Sequence, residues 1–119
     1  MSKVVKDATV DNRRRFERVE IDFQTGVYVT DKKHKRIGLL RQLGRGGMMV
    51  EPERSFKVGK KEEIWIVDVS ENLKVHLQAT VRYADARRVG FEFENLDANA
   101  AVDIGIIIGK YYSRDSVNA

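Results

Sequence analysis

Short runs in which apolar and polar residues take turns fill most of this chain, with turn-forming clusters between them. Val19, Ile21 and Phe23 alternate with Glu20 and Asp22, Val27 and Val29 with Tyr28 and Thr30, and Val89, Phe91 and Phe93 with Gly90, Glu92 and Glu94. The clearest period of two sets Val75, Leu77, Ala79, Val81 and Tyr83 against His76, Gln78, Thr80 and Arg82, the pattern of a strand with one face buried. Residues 38–43, 47–50 and 64–69 are expected as three more strands. Gln24-Thr25-Gly26, Asp31-Lys32-Lys33, Arg45-Gly46-Gly47, Ser70-Glu71-Asn72 and Asp85-Ala86-Arg87 supply the turns. Pro52, the only proline, is placed in a loop-like stretch ahead of Phe56. Short strands at this spacing predict an all-β fold, a small antiparallel barrel or sandwich.

The period changes near the C-terminus. Ala101, Ile104, Ile107, Ile108 and Tyr111 recur at three- and four-residue steps, one face of a helix, and Asp97 is suited to be its N-cap. Gly105 and Gly109 each cost such a helix about 1 kcal/mol relative to alanine. They are expected to let it pack closely on the barrel, with a Gly-x-x-x-Gly dimer contact as the alternative. Residues 1–12 lack periodicity and read as a mobile arm, which leaves 13–113 as one domain of barrel and C-terminal helix. A chain of 119 residues has room for one core and not two.

Several function classes drop out. No apolar run nears the roughly 18 residues of a membrane span, and Met1–Lys6 has no apolar stretch of the kind a secretory leader needs; a cytoplasmic location without membrane insertion is expected. The absence of cysteine excludes disulfides, thiolate metal sites and cysteine nucleophiles. His34 sits in a charged loop and His76 in a strand, and neither has a partner at metal-site spacing. No serine lies in a nucleophile elbow. Gly44-Arg45-Gly46-Gly47 is followed by neither the Lys-Ser/Thr nor the helix of a phosphate-binding loop. Neither catalysis nor a metal or cofactor is expected.

Charge points the other way, toward a ligand. Residues 1–41 hold 11 Lys and Arg against 6 Asp and Glu, whereas 42–119 hold 11 against 12. The whole excess lies in the first third, where an anionic partner is expected to meet the chain. Its centre is Asn12-Arg13-Arg14-Arg15-Phe16-Glu17-Arg18-Val19, directly before the first strand. The planar fork of arginine donates two parallel hydrogen bonds to a phosphate or to the O6/N7 edge of guanine, and its face stacks on bases. An arm of this kind suits a small dianionic guanine nucleotide.

Arg14-x-x-x-Arg18 before an alternating strand resembles the Arg-x-x-x-Arg motif that opens PilZ domains. In that family an Asp/Asn-x-Ser-x-x-Gly motif follows after about twenty to thirty residues. Here Gln42-Leu43-Gly44-Arg45-Gly46-Gly47 holds that place, with Gln42 for Asp or Asn, Gly44 for Ser, and Gly47 retained. Val81-Arg82-Tyr83 and Val89-Gly90-Phe91-Glu92-Phe93 resemble the family's last strand pair. The resemblance spans residues 12–111. It implies a six-stranded antiparallel barrel with a C-terminal helix that binds the bacterial second messenger cyclic di-GMP. By position, Arg14 and Arg18 would grip phosphate and guanine edges, Arg13 and Arg15 would add charge, with Arg13 placed to stack between guanines, and Gln42, Gly44 and Gly47 would form the second motif. Tyr83 is either an aromatic beside a guanine or an ordinary barrel residue in phase with Val81. The ligand would order the arginine arm and so signal to a downstream protein. Two alternatives stay open: an adaptor that has lost the nucleotide and acts through protein contacts in motility or pilus machinery, and a barrel for single-stranded nucleic acid, which the low aromatic content disfavours.

Overall fold

The computed structural model describes residues 18–21 and 26–118. In chain order they form β1 (Val19–Glu20), β2 (Val27–Asp31), β3 (Arg36–Leu43), β4 (Gly47–Pro52), β5 (Lys61–Asp68), β6 (Leu73–Ala84), β7 (Val89–Glu94) and α1 (Ala98–Asn118). Every pairing is antiparallel. Six strands close into a barrel in the order β3–β2–β5–β6–β7–β4, and the β3–β4 ladder seals the ring. The expected all-β class, six-stranded barrel and C-terminal helix are all present. β1 is a seventh strand outside the ring, paired with the end of β3 that β2 leaves uncovered: Val19 stands opposite Leu43 and Glu20 opposite Gln42. The arm at 1–12, Arg13, Arg14 and Arg15, and Phe23 lie outside the described residues.

Alternation fills the barrel. Val75, Leu77, Ala79 and Val81 from β6 point inward with Val89, Phe91 and Phe93 from β7, and all are buried. The alternation then breaks. Val81 is opposite Phe91 but Tyr83 is opposite Gly90, so Arg82 is an extra residue in β6. A bulge of this kind bends the strand and turns the following side chain to the other face. Tyr83 is accordingly 47% exposed and is no barrel-interior residue. In β3 the buried apolar side chains are Ile37, Leu40 and Leu43, at steps of three. Two extra residues explain the step: Ile37 relative to β2 and Arg41 relative to β4. Pro52 is the last residue of β4 rather than part of a loop, an end position at which a missing N–H is tolerated.

α1 closes one side of the barrel, lying against β6 and β1. Asp97 caps it as expected, its Oδ1 accepting the Ala100 N–H at 2.8 Å. Ile104, Ile107, Ile108 and Tyr111 are buried, and Ala100 rather than Ala101 completes that face. The glycines do not serve close packing on the barrel. Gly109 is exposed, with nothing within 4 Å of where a Cβ would stand, and Gly105 would meet only the guanidinium of Arg45. An ion pair fastens the helix instead. Lys110 Nζ donates to Asp68 Oδ2 at 3.0 Å and to Ser70 Oγ at 2.5 Å, and Asp68 is fully buried at the end of β5. Among the described residues no helix is long and apolar enough to cross a membrane.

Removing one partner of a buried pair strands the other without compensation. Lys110→Met should therefore cost about 3 kcal/mol, read as a lowered urea midpoint. The double change Lys110→Met with Asp68→Asn should recover part of that loss.

Candidate functional site

A cleft of about 470 Å³ opens on the outer barrel surface around the β3–β4 turn, within the roughly 300–1,000 Å³ range of ligand pockets. Arg18, Gln42, Gly44 and Gly47 all line it. The β1–β3 pairing brings them together. Val19 faces Leu43, Glu20 faces Gln42, and Ile21 N–H adds a bond to Arg41 O at 2.8 Å. One step back along the same register sets Arg18 alongside Gly44. Tyr83 is absent from the lining, but its strand neighbour Gly90 is part of it.

A row of outward positions runs across five strands: Glu20, Gln42, Met49, Gly90 and Tyr83 stand directly opposite one another in turn. Gly90 has no side chain, so it leaves a flat gap between Met49 and Tyr83. Tyr83 is fixed by its hydroxyl, which donates to Asp85 Oδ2 at 2.5 Å. Asp85 Oδ1 accepts the N–H groups of Arg87 and Arg88, each at 2.8 Å. Together these donors hold the Asp85 carboxyl at about 2, with the tyrosine bond the largest cause, and the same bond raises the Tyr83 phenol.

The turn depends on one glycine. A Cβ on Gly47 would collide with the carbonyl oxygen of Phe91 in β7, whereas one on Gly46 would meet nothing within 4 Å. Gly44 is buried, its N–H bonded to Gly47 O at 2.9 Å. It is not among the described glycines with positive φ, which are Gly26 and Gly59. Gln42 does not face the cleft unengaged: its Nε2 donates to Glu20 Oε1 at 2.7 Å. Sequence reasoning missed three charged lining residues, Arg45, Arg82 and Glu92. Arg45 lies inside the second motif and was open to discovery there. Arg82 occupies the bulge of β6, which no local pattern announces, and it is bound to Glu92 through both Nε and an Nη nitrogen. Among the described residues no group of three or more His, Asp or Glu is placed to hold a metal ion.

Comparison with known proteins matches residues 12–108 to the model of the PilZ domain family. Similar solved structures include the PilZ domain with c-di-GMP of YcgR from Escherichia coli, 17% identical, with a TM-score of 0.65 over 85% of this chain and 94% of that one. The PilZ domain of CeSA from a cellulose-synthesizing bacterium is 17% identical, with a TM-score of 0.54 over 71% of this chain and 88% of that one. The Bacillus subtilis inhibitor of motility, MotI/DgrA, is 21% identical, with a TM-score of 0.53 over 77% of this chain and 46% of that one. At these identities the likeness is one of fold. No curated protein sequence matches the chain.

Two outcomes are expected from the turn and the Tyr83 contact. Gly47→Ala should cost roughly 1–3 kcal/mol, the range for overpacking, while Gly46→Ala should stay within about 0.5 kcal/mol, both by chemical denaturation. Because the folded Asp85 carboxyl sits below its ordinary 3.8, it stabilises the fold above that value and ceases to as pH falls toward 2. Asp85→Asn should thus melt earlier than wild type near neutral pH, and the two curves should converge near the acid end of that window.

Proposed function

The chain belongs to the PilZ domain family, and from that premise we propose that it is a non-catalytic receptor for cyclic di-GMP. One observation carries this reading: Arg18 meets Gln42, Gly44 and Gly47 on the rim of one cleft. In the proposed complex Arg18 and Arg14 bind phosphate or guanine edges through their forks. Arg13 and Arg15 add charge, Arg13 stacks between guanines where two ligand molecules bind together, and Tyr83 flanks a base lying over Gly90. Ligand orders the arginine segment after the arm at 1–12, and the altered surface is offered to a downstream protein, a disorder-to-order switch. The domain carrying this switch spans residues 13–113, and it acts in the cytoplasm.

A second reading, an adaptor without nucleotide, draws on the altered motif. Gly44 has no hydroxyl, and Glu20 holds the Gln42 amide while placing a carboxylate beside the cleft. Each missing ligand bond costs about 1–3 kcal/mol, so the arginines must supply the affinity.

Calorimetric titration with cyclic di-GMP separates the two. Wild type should bind, and Arg18→Ala should weaken binding by about 1.5–3 kcal/mol, the range for charge-assisted bonds. Arg14→Lys should weaken it as well, since lysine keeps the charge and loses the fork. Gln42→Asp with Gly44→Ser should bind equally or more tightly, and Gly44 is not among the described glycines of positive φ, so serine there meets no such obstacle. A folded wild type that shows no binding at high micromolar ligand would leave the adaptor.

A further inference from the structure

The positive excess of the first 41 residues is split between two places. One is the arginine cluster. The other is the tip of the β2–β3 hairpin, Asp31-Lys32-Lys33-His34-Lys35-Arg36. Over much of the described barrel wall, cations are matched by carboxylates: Arg36 by Glu53, Arg41 by Glu51, Arg54 by Glu62 and Arg82 by Glu92. Lys32, Lys33 and Lys35 have no such partner among the described residues, and all three are exposed.

The tip is rigidly built. Asp31 Oδ1 accepts the N–H groups of Lys33 at 2.9 Å and Lys35 at 3.0 Å and so orders the backbone of the turn. The His34 N–H donates to Asp31 O at 2.9 Å, with His34 held at a φ of 67°. That conformation aims the imidazole at the barrel wall. Its ring lies 5.2 Å from Trp65, whose other neighbour is His76 at 4.6 Å, and His76 Nε2 is 2.8 Å from Glu63 Oε2. Trp65 projects from β5, which stands across the six-strand ring from β4 and its cleft.

We infer that the β2–β3 hairpin tip is a docking surface for an acidic, carboxylate-rich segment of a partner protein. Lysines are point charges on flexible stems, suited to carboxylates spread along a peptide rather than to one planar group. A surface for single-stranded nucleic acid presents open aromatic faces for stacking. Here Trp65 is flanked by His34 on the β2 side and His76 on the β6 side. Membrane-surface binders insert apolar or aromatic side chains, and residues 31–36 offer none. Because the tip leads into the start of β3 at Arg36 while the cleft takes in Gln42 and Leu43 at the other end of that strand, docking neither requires nucleotide nor competes with it.

The test uses the whole chain and a fluorescent oligoglutamate peptide at low salt. Carbodiimide coupling of peptide carboxylates to lysine amines, mapped by mass spectrometry, should concentrate on Lys32, Lys33 and Lys35 rather than on Lys57, Lys60 and Lys74. Lys32→Gln, Lys33→Gln and Lys35→Gln combined should weaken the peptide on the order of tenfold and leave the melting temperature and any cyclic di-GMP titration unchanged. Trp65, the only tryptophan, gives a second readout through its emission, which should respond to peptide in wild type and not in the triple variant. Cross-links spread evenly over all exposed lysines, or equal binding by the triple variant, would overturn the inference. So would tighter lysine-dependent binding of oligothymidylate or of phosphatidylglycerol vesicles, which would assign the tip to nucleic acid or membrane. A chain that binds oligoglutamate but not nucleotide would contradict the receptor and not the docking surface.

Discussion

Two residue pairs hold the candidate site together. Among the described residues Val19 against Leu43 and Glu20 against Gln42 form the ladder between β1 and the barrel, Ile21 N–H adds a bond to Arg41 O, and this ladder sets Arg18 beside the β3–β4 turn. So short a strand has few backbone bonds to rely on. Its anchorage comes from Val19 and Ile21, each only 2% exposed; burying a side chain of that size contributes about 1.5–3 kcal/mol. Val19 and Ile21 thus anchor this strand in the core, with α1 packed against it.

The bulges are the second device. Ile37, Arg41 and Arg82 are extra residues in otherwise regular ladders. Extra residues bend and twist strands, and a ring of six strands needs such corners to close. Each bulge also re-aims the side chains beyond it. Past Arg82 the chain delivers Tyr83 to the outer surface, and Arg82 itself lines the cleft beside Glu92. Closure of the barrel and equipment of the site are thus served by the same irregularities.

Charge is spent differently at the two ends of β3. Near the cleft, Glu92 binds Arg82 and Glu20 binds Gln42, so carboxylates temper a surface otherwise suited to an anion. At the hairpin tip Asp31 accepts backbone donors, and Lys32, Lys33 and Lys35 are exposed and form no ion pair among the described residues. Fully buried Asp68 is the contrasting case, paired with Lys110 where no water can do so.

Much was legible along the chain. The period of two in Val75 to Val81, the turn residues, the Asp97 cap and the three-and-four spacing of Ile104, Ile107, Ile108 and Tyr111 are determined by backbone geometry over a few residues, and local sequence encodes local geometry. The spacing of Arg18 from Gly47 was legible too, as a motif. The features that the chain did not disclose depend on pairing between distant segments. The stretch 38–43 does not alternate because the bulge at Arg41 falls inside it, and Tyr83 read as in phase because a bulge has no composition of its own. The glycines of α1 read as packing sites, yet which helical face meets the barrel is decided by Ile104, Ile107 and Lys110 finding their partners. His34 and His76 looked unrelated until the pairing of β5 between β2 and β6 put both beside Trp65. Register and closure are properties of the assembled sheet, set by the sum of many cross-strand contacts, and so only the tertiary structure decided which residues share a wall.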